Sequence, residues 1–167
     1  GQVSNLSIVA VNGGAIISYK LPSDNDILYV KAEYTNSLGK SVFKASSRFA
    51  NTIELDGFND TQSHIVKVYT VDQSNNKSEA VEVSVTPLES FIYIVQQSMN
   101  LLPDLGGVKI NWENPMEKTV FVYLTYADAN KEYERILSSN KSNETFVIRG
   151  MDSISYDFSV VVEDFNG

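Results

Sequence analysis

Gly13-Gly14-Ala15-Ile16-Ile17-Ser18-Tyr19, followed by Leu21-Pro22, returns 93 residues later as Gly106-Gly107-Val108-Lys109-Ile110-Asn111-Trp112, followed by Asn114-Pro115. The match continues downstream. Leu28–Tyr34 aligns with Val120–Tyr126 at an offset of 92, Asn51–Gly57 with Glu144–Gly150 at 93, and Val66–Asp72 with Phe158–Asp164 at 92. Self-similarity at a fixed spacing marks a duplicated structural unit. It predicts two domains, 1–87 and 91–167, with Pro87-Leu88-Glu89-Ser90 as a short, stiff connector.

Within each copy apolar residues alternate with polar ones, the period of a strand with one buried face, and Gly, Asn, Asp, Ser or Pro clusters separate the runs. In the first copy Ile17 and Tyr19, then Leu28, Val30, Ala32 and Tyr34, then Ile53 and Leu55, then Val66, Val68 and Thr70, then Val81, Val83 and Val85 face one core. Ile110 and Trp112, then Val120, Val122, Leu124 and Tyr126, then Phe146 and Ile148, then Phe158, Val160 and Val162 repeat that register. A slip of one residue would turn every side chain over, so agreement between two diverged copies is strong evidence for the pattern. Seven short strands in about 90 residues make a sandwich of two sheets.

The 167 residues are 43% hydrophobic and 20% charged, enough apolar material for two small cores. With no cysteine there is no disulfide framework, thiolate metal site or thiol nucleophile. Thirteen basic against 21 acidic side chains leave a net charge of -8, which opposes binding to a phosphate backbone. No apolar run approaches the ~20 residues of a membrane-spanning helix. A first residue of Gly in place of Met reads as that of a trimmed piece, compatible with an export signal removed upstream.

A Gly-Gly turn, an alternating strand ending in Trp112 or Tyr19, a Pro two or three residues later and a strand ending in Tyr resemble the B and C strands of fibronectin type III domains. The resemblance implies an all-β fold of two tandem immunoglobulin-like, fibronectin type III-like sandwiches. Tyr156 would then be the tyrosine-corner residue, whose hydroxyl bonds backbone. His64 departs from the pattern at that position. Leu21 to Asp26, Leu55-Asp56-Gly57-Phe58-Asn59-Asp60-Thr61 and Val71-Asp72-Gln73-Ser74-Asn75-Asn76-Lys77-Ser78-Glu79 are similar to the N-terminal part of a family of secreted gut-bacterial proteins with no known active site. In that family a discoidin-like, galactose-binding-type domain usually follows, and the genes tend to sit among glycan-uptake functions. The resemblance implies a C-terminal ligand-binding domain in the parent chain. It also implies export to the bacterial cell surface or periplasm, with a lipid anchor in the full-length protein.

Gly167 aligns with Asn75, so the second copy is expected to lack its last strand. Truncation, order ending early and an edge completed by a partner strand all account for this.

Three groups of residues are candidates for chemistry. Asp24 and Asp26 should approach Asp72, Asn75 and Asn76 at one pole; carboxylates and amide carbonyls are the oxygen ligands calcium takes. The same residue types also populate turns for local reasons, and no Asp-x-Asp-x-Asp-Gly loop is present. Tyr29, Ile65, Tyr69 and Val71, and in the second copy Phe121, Tyr123 and Val161, make the outward faces of two strands unusually apolar. Tyr29, Tyr69, Phe121 and Tyr123 are candidates to stack on a glycan or to meet a surface protein, or else they are cross-strand pairs that stabilise the sheet. For catalysis the inventory is poor: one histidine, at the corner position, and no Gly-x-Ser-x-Gly elbow, phosphate loop or His-Glu-x-x-His helix. With that inventory, the resemblance implies a non-catalytic spacer and binding module linked to glycan capture. The alternative is an adhesion module using its exposed sheet faces or the open edge of domain two.

Overall fold

The alternating runs form strands in the computed structural model, which describes residues 1–152 and 155–167. The chain divides into two units, Gly1–Ser90 and Phe91–Gly167. In the first, β1 (Ser4–Val11), β2 (Gly14–Lys20) and β5 (Thr52–Leu55) form a sheet in the order β1-β2-β5. Its partner sheet holds β3 (Ile27–Thr35), β4 (Ser41–Ser47), β6 (His64–Asp72) and β7 (Val81–Val85) in the order β4-β3-β6-β7. Ile17 and Leu55 from one sheet meet Val30, Ala32, Val66, Val68 and Val85 from the other, all at 1% exposure or less. Each such aliphatic side chain contributes about 1.5–3 kcal/mol by leaving water.

The second unit opens on a helix, α1 (Phe91–Ser98), and continues with β8 (Asn100–Asp104), β9 (Gly107–Glu113), β10 (Val120–Ala127), β11 (Glu132–Ser139), β12 (Asn143–Arg149) and β13 (Asp157–Glu163). Its sheets run β12-β9-β8 and β11-β10-β13. Among the described residues this is the order of the first unit without a counterpart of β7. The pairings share one register: Val30 faces Thr70 and Ala32 faces Val68, and 92 residues on Val122 faces Val162 and Leu124 faces Val160. Two tandem immunoglobulin-like, fibronectin type III-like sandwiches result.

The repeated Gly-Gly has a distinct reason at each glycine. Gly13 and Gly106 have φ of +72° and +67°, the left-handed region. Gly14 and Gly107 lie against the neighbouring strand: a Cβ there would come within 1.8 Å of the Leu55 carbonyl oxygen and 1.7 Å of the Ile148 carbonyl oxygen. The turn then holds the loop beyond that strand, because Phe58 N–H donates to the Gly13 carbonyl and Met151 N–H to the Gly106 carbonyl, both at 3.1 Å. Above them sit the corner residues. Asp152 N–H donates to the Tyr156 hydroxyl at 3.2 Å, whereas His64 Nε2 meets Asp60 Oδ1 at 2.7 Å and its ring lies 4.5 Å from that of Phe58. Both corner side chains reach four residues upstream, so His64 fills the position with a carboxylate partner. That contact holds the Asp60 carboxyl below the usual carboxylate range, helped by the Gln62 N–H.

One expectation needs correction. Leu28 is 46% exposed and Ile27 takes the buried place, because the β3–β6 register shifts between Ile27 and Tyr29 and leaves Leu28 as an extra residue. Residues 91–98 form a helix on which Phe91, Ile92 and Val95 share a buried face, and Ser98 accepts the Glu113 N–H at 2.9 Å. Leu88 and Glu89 of the short connector are bonded to the first unit. The Leu88 amide donates to the Val11 carbonyl and its carbonyl accepts from Gly13 N–H, each at 3.0 Å, and Asn12 Nδ2 donates to the Glu89 carbonyl at 2.8 Å. Among the described residues no helix is long and apolar enough to cross a membrane.

The two glycines of one pair should respond differently to substitution. Gly106→Ala meets open space and incurs the left-handed penalty of about 1–2 kcal/mol. Gly107→Ala must push two paired strands apart and should exceed it, passing ~3 kcal/mol in denaturant unfolding of the second unit. Equal losses would contradict the close approach.

Candidate functional site

On the outer face of the β4-β3-β6-β7 sheet, Tyr29 lies between Ser47 and Val71, half-buried. Tyr69, opposite Lys31, is only 4% exposed, and Val71 2%. The expectation of an open Tyr69 ring is therefore corrected. Lys77 returns from the following loop to bridge Val71, and its Nζ stands 4.9 Å from the Tyr69 ring centroid; Lys31 Nζ lies 5.9 Å from it. The Tyr69 hydroxyl donates to Glu33 Oε1, which also takes Lys31 Nζ at 2.7 Å. A ring capped by two ammonium groups and tied to a carboxylate has no free face for a sugar. The Lys31 ammonium, and next the Tyr69 hydroxyl, hold the Glu33 carboxyl below its ordinary range, while Glu33 raises Lys31 in return.

The corresponding face of the second unit carries apolar residues at these positions. Lys31 becomes Tyr123, Tyr69 becomes Val161 and Glu33 becomes Thr125 at the offset of 92. Tyr123 is half-buried between its strand partners Ile136, 60% exposed, and Val161, 50% exposed. Phe121, on the same face, meets Phe165 edge-on at 5.3 Å, and Phe165 is 80% exposed. Of the four aromatic candidates, Phe121 and Tyr123 are thus brought together on one open apolar face. Tyr29 stands in the other unit beside a closed Tyr69.

Asp24, Asp26 and Asp72 do reach one pole of the first unit, where they line a cavity of about 360 Å³ with Thr70, Asn76 and Ser78. The Asp72 carboxylate is engaged locally, the turn role that these residue types also allow. Asp72 Oδ1 accepts from Ser74 N–H at 2.8 Å and Asn76 N–H at 2.9 Å, and its Oδ2 accepts from Asn76 Nδ2 at 2.9 Å. The oxygens of Asp72 close a turn, and among the described residues no group of three or more His, Asp or Glu is arranged to hold a metal. The Asn76 side chain, then its N–H, depresses the Asp72 pKa.

Sequence reading missed a second cavity, of about 370 Å³, whose lining in the second unit includes Leu101, Pro103, Val108, Met151, Tyr156 and Phe158. The signal was available in the repeat: Tyr156 and Phe158 align with His64 and Val66, which β7 covers with Val85 and Val83.

Residues 1–87 match the family described as domain of unknown function DUF4959, and residues 88–166 match that described as domain of unknown function DUF5126. No curated protein matches the chain. Among solved structures, a two fibronectin type III domain segment of chicken tenascin is 8% identical at a TM-score of 0.47, with 98% of this chain and 92% of that one covered. The chicken interferon gamma receptor alpha chain is 12% identical at 0.39, with 99% and 91% covered. The central fibronectin-III array of RIM-binding protein is 15% identical at 0.42, with 98% and 63% covered.

Two outcomes are expected. Because the folded pKa of Glu33 lies below its unfolded value, its contacts stabilise the fold above the unfolded pKa and lose that effect as pH falls through the folded one. Tyr69→Phe should raise the Glu33 midpoint in a carboxylate NMR titration, and an unmoved midpoint would remove the hydroxyl from this account. Melting with calcium and with chelator should give the same midpoint, since a metal specific to the native state must raise it. A higher midpoint in calcium would restore the acidic pole as a site.

Proposed function

The chain belongs to the family described as domain of unknown function DUF4959, through residues 1–87, and from that premise we propose that it is a non-catalytic spacer and binding module of an exported bacterial surface protein. In this reading the parent chain is lipid-anchored at the cell surface or in the periplasm. The module carries a C-terminal ligand-binding domain and contributes to glycan capture. Two sandwiches with separate cores suit a spacer, because each has its own cluster of buried residues to hold it.

The observation that carries the binding part is the face of β11-β10-β13. A solvated sheet face of this kind is ordinarily polar, yet Tyr123 lies here between exposed Ile136 and Val161. A tyrosine on a flat sheet offers one apolar ring face and a hydroxyl, the pairing that sugar rings with their C–H faces and hydroxyl rims accept. The aliphatic flanks and Phe165 favour a second reading, in which this face adheres to a protein.

Titration of the chain against a glycan panel should give saturable heats that Tyr123→Ala reduces at least tenfold while the melting midpoint stays within a few degrees. Absence of any sugar binding, with a surface protein captured through the same face and lost on Tyr123→Ala, would replace glycan capture by adhesion.

A further inference from the structure

The outward positions of β10, β11 and β13 form rows across the sheet. The Tyr123 row is apolar, with Ile136 on one side and Val161 on the other. Further along β10, Thr125 has Glu134 beside it and Ala127 lies between Glu132 and Asp157; in the other direction Phe121 has Glu163 beside it. Glu132, Glu134 and Asp157 are exposed and Glu163 is half-buried. Among the described residues no lysine or arginine occupies an outward position of these three strands. An apolar row thus lies among four carboxylates.

Among the described residues none of these four carboxylates is held in an ion pair; Lys141–Glu144 at 3.7 Å and Arg149–Asp104 at 3.1 Å pair on the opposite sheet. Lys131 Nζ stands 4.9 Å from the Tyr133 ring centroid, and Arg135, in the register of buried Leu124, donates to the Glu134 carbonyl at 2.9 Å. The first unit balances the same face internally, with Lys31 meeting Glu33 at 2.7 Å and Lys67 meeting Glu82 at 3.7 Å. At the offset of 92, Asp157 and Glu163 stand where the first copy has Ile65 and Val71. The unbalanced negative charge therefore belongs to the second copy.

We propose that this face docks an extended, basic polypeptide segment of a partner protein, laid along β10 with alternate side chains in the order apolar, basic, basic. The inference rests on the sheet-face reading and takes its adhesive form. Alternate residues of an extended chain repeat about every 7 Å, the spacing of the rows along β10. The apolar side chain then covers Tyr123 between Ile136 and Val161, and the next two bring their cations beside Glu134 and between Glu132 and Asp157. Charge complementarity selects the class of partner, since an acidic sugar is repelled and a neutral one leaves the carboxylates unbalanced. A single metal ion does not fit: Glu132 and Asp157 stand two strand spacings apart, about 10 Å, and among the described residues no group of three acidic or histidine side chains could hold one.

The test titrates the 167-residue chain with a synthetic peptide bearing Leu, Lys and Lys at alternate positions with Thr between them, read by NMR and fluorescence anisotropy. Amide shifts should move along β10 and β11. Affinity should fall at least tenfold with Glu134→Lys, Glu132→Lys or Tyr123→Ala, each melting within a few degrees of the original, and should weaken as salt is raised. Glu113→Lys, the same change of charge on the opposite sheet, should leave affinity within about twofold. Equal losses from Glu113→Lys and Glu134→Lys, or equal binding of a peptide of the same composition in scrambled order, would overturn the proposal by leaving net charge alone. A peptide that does not bind, beside sugar heats that Tyr123→Ala abolishes, overturns it and keeps glycan capture. Absence of both removes the face as a binding surface altogether.

Discussion

Two backbone contacts determine the geometry of everything else: Gly14 against the Leu55 carbonyl and Gly107 against the Ile148 carbonyl. Backbone packed this closely has no room for a side chain, so β2 is fixed to β5, and β9 to β12, at one register. The preceding glycine turns the chain and accepts the N–H of Phe58 or Met151. Phe58 in turn supports His64 and Tyr34, with ring centroids 4.5 and 5.1 Å away; Met151 packs in the cluster that holds Tyr126 and Tyr156. Turn, neighbouring strand, loop and corner are thus one connected constraint, present twice.

With this frame shared, the two units are free to differ on their surfaces. The first covers its sheet with Lys31, Glu33, Lys77 and the buried Tyr69, a set of ion pairs and ring contacts that leaves little apolar area. In the second those charges are absent from the same positions and Tyr123, Ile136 and Val161 face solvent. Removing the charged cover changes what the face can meet without touching the core, since inward and outward residues alternate along every strand. Divergence between the copies therefore falls on the outer faces and the β13 edge.

Much of the architecture was legible because alternation and repetition reinforce each other: Ile17, Val30, Val68 and Val85, and Ile110, Val122 and Leu124, are all fully buried as their register requires. Where neighbours far along the chain intervene, the pattern misleads. Leu28 obeys the alternation but sits at a bulge; Tyr69 and Val71 point outward and are buried by a loop lysine. In β4 the outward Phe43 is 59% exposed while Lys44 occupies an inward position, so no alternation marks the strand. Phe91-Ile92-Tyr93-Ile94-Val95 reads equally as helix or strand by periodicity alone. Asp24, Asp26 and Asp72 lie at one pole, and the Asp72 carboxylate closes a turn, the local role that Asp in such a stretch also allows.

Residue-resolved native-state hydrogen exchange on the 167-residue chain addresses the central idea, one sandwich built twice. Protection should map from the first unit onto the second at the 92–93 offset through β2 and β9, β3 and β10, and β5 and β12. It should part at α1, which the first unit lacks, and at β6 and β13, bonded on two sides in the former and on one in the latter. Unrelated protection patterns in the two halves, or a β13 as fully protected as β6, would contradict it.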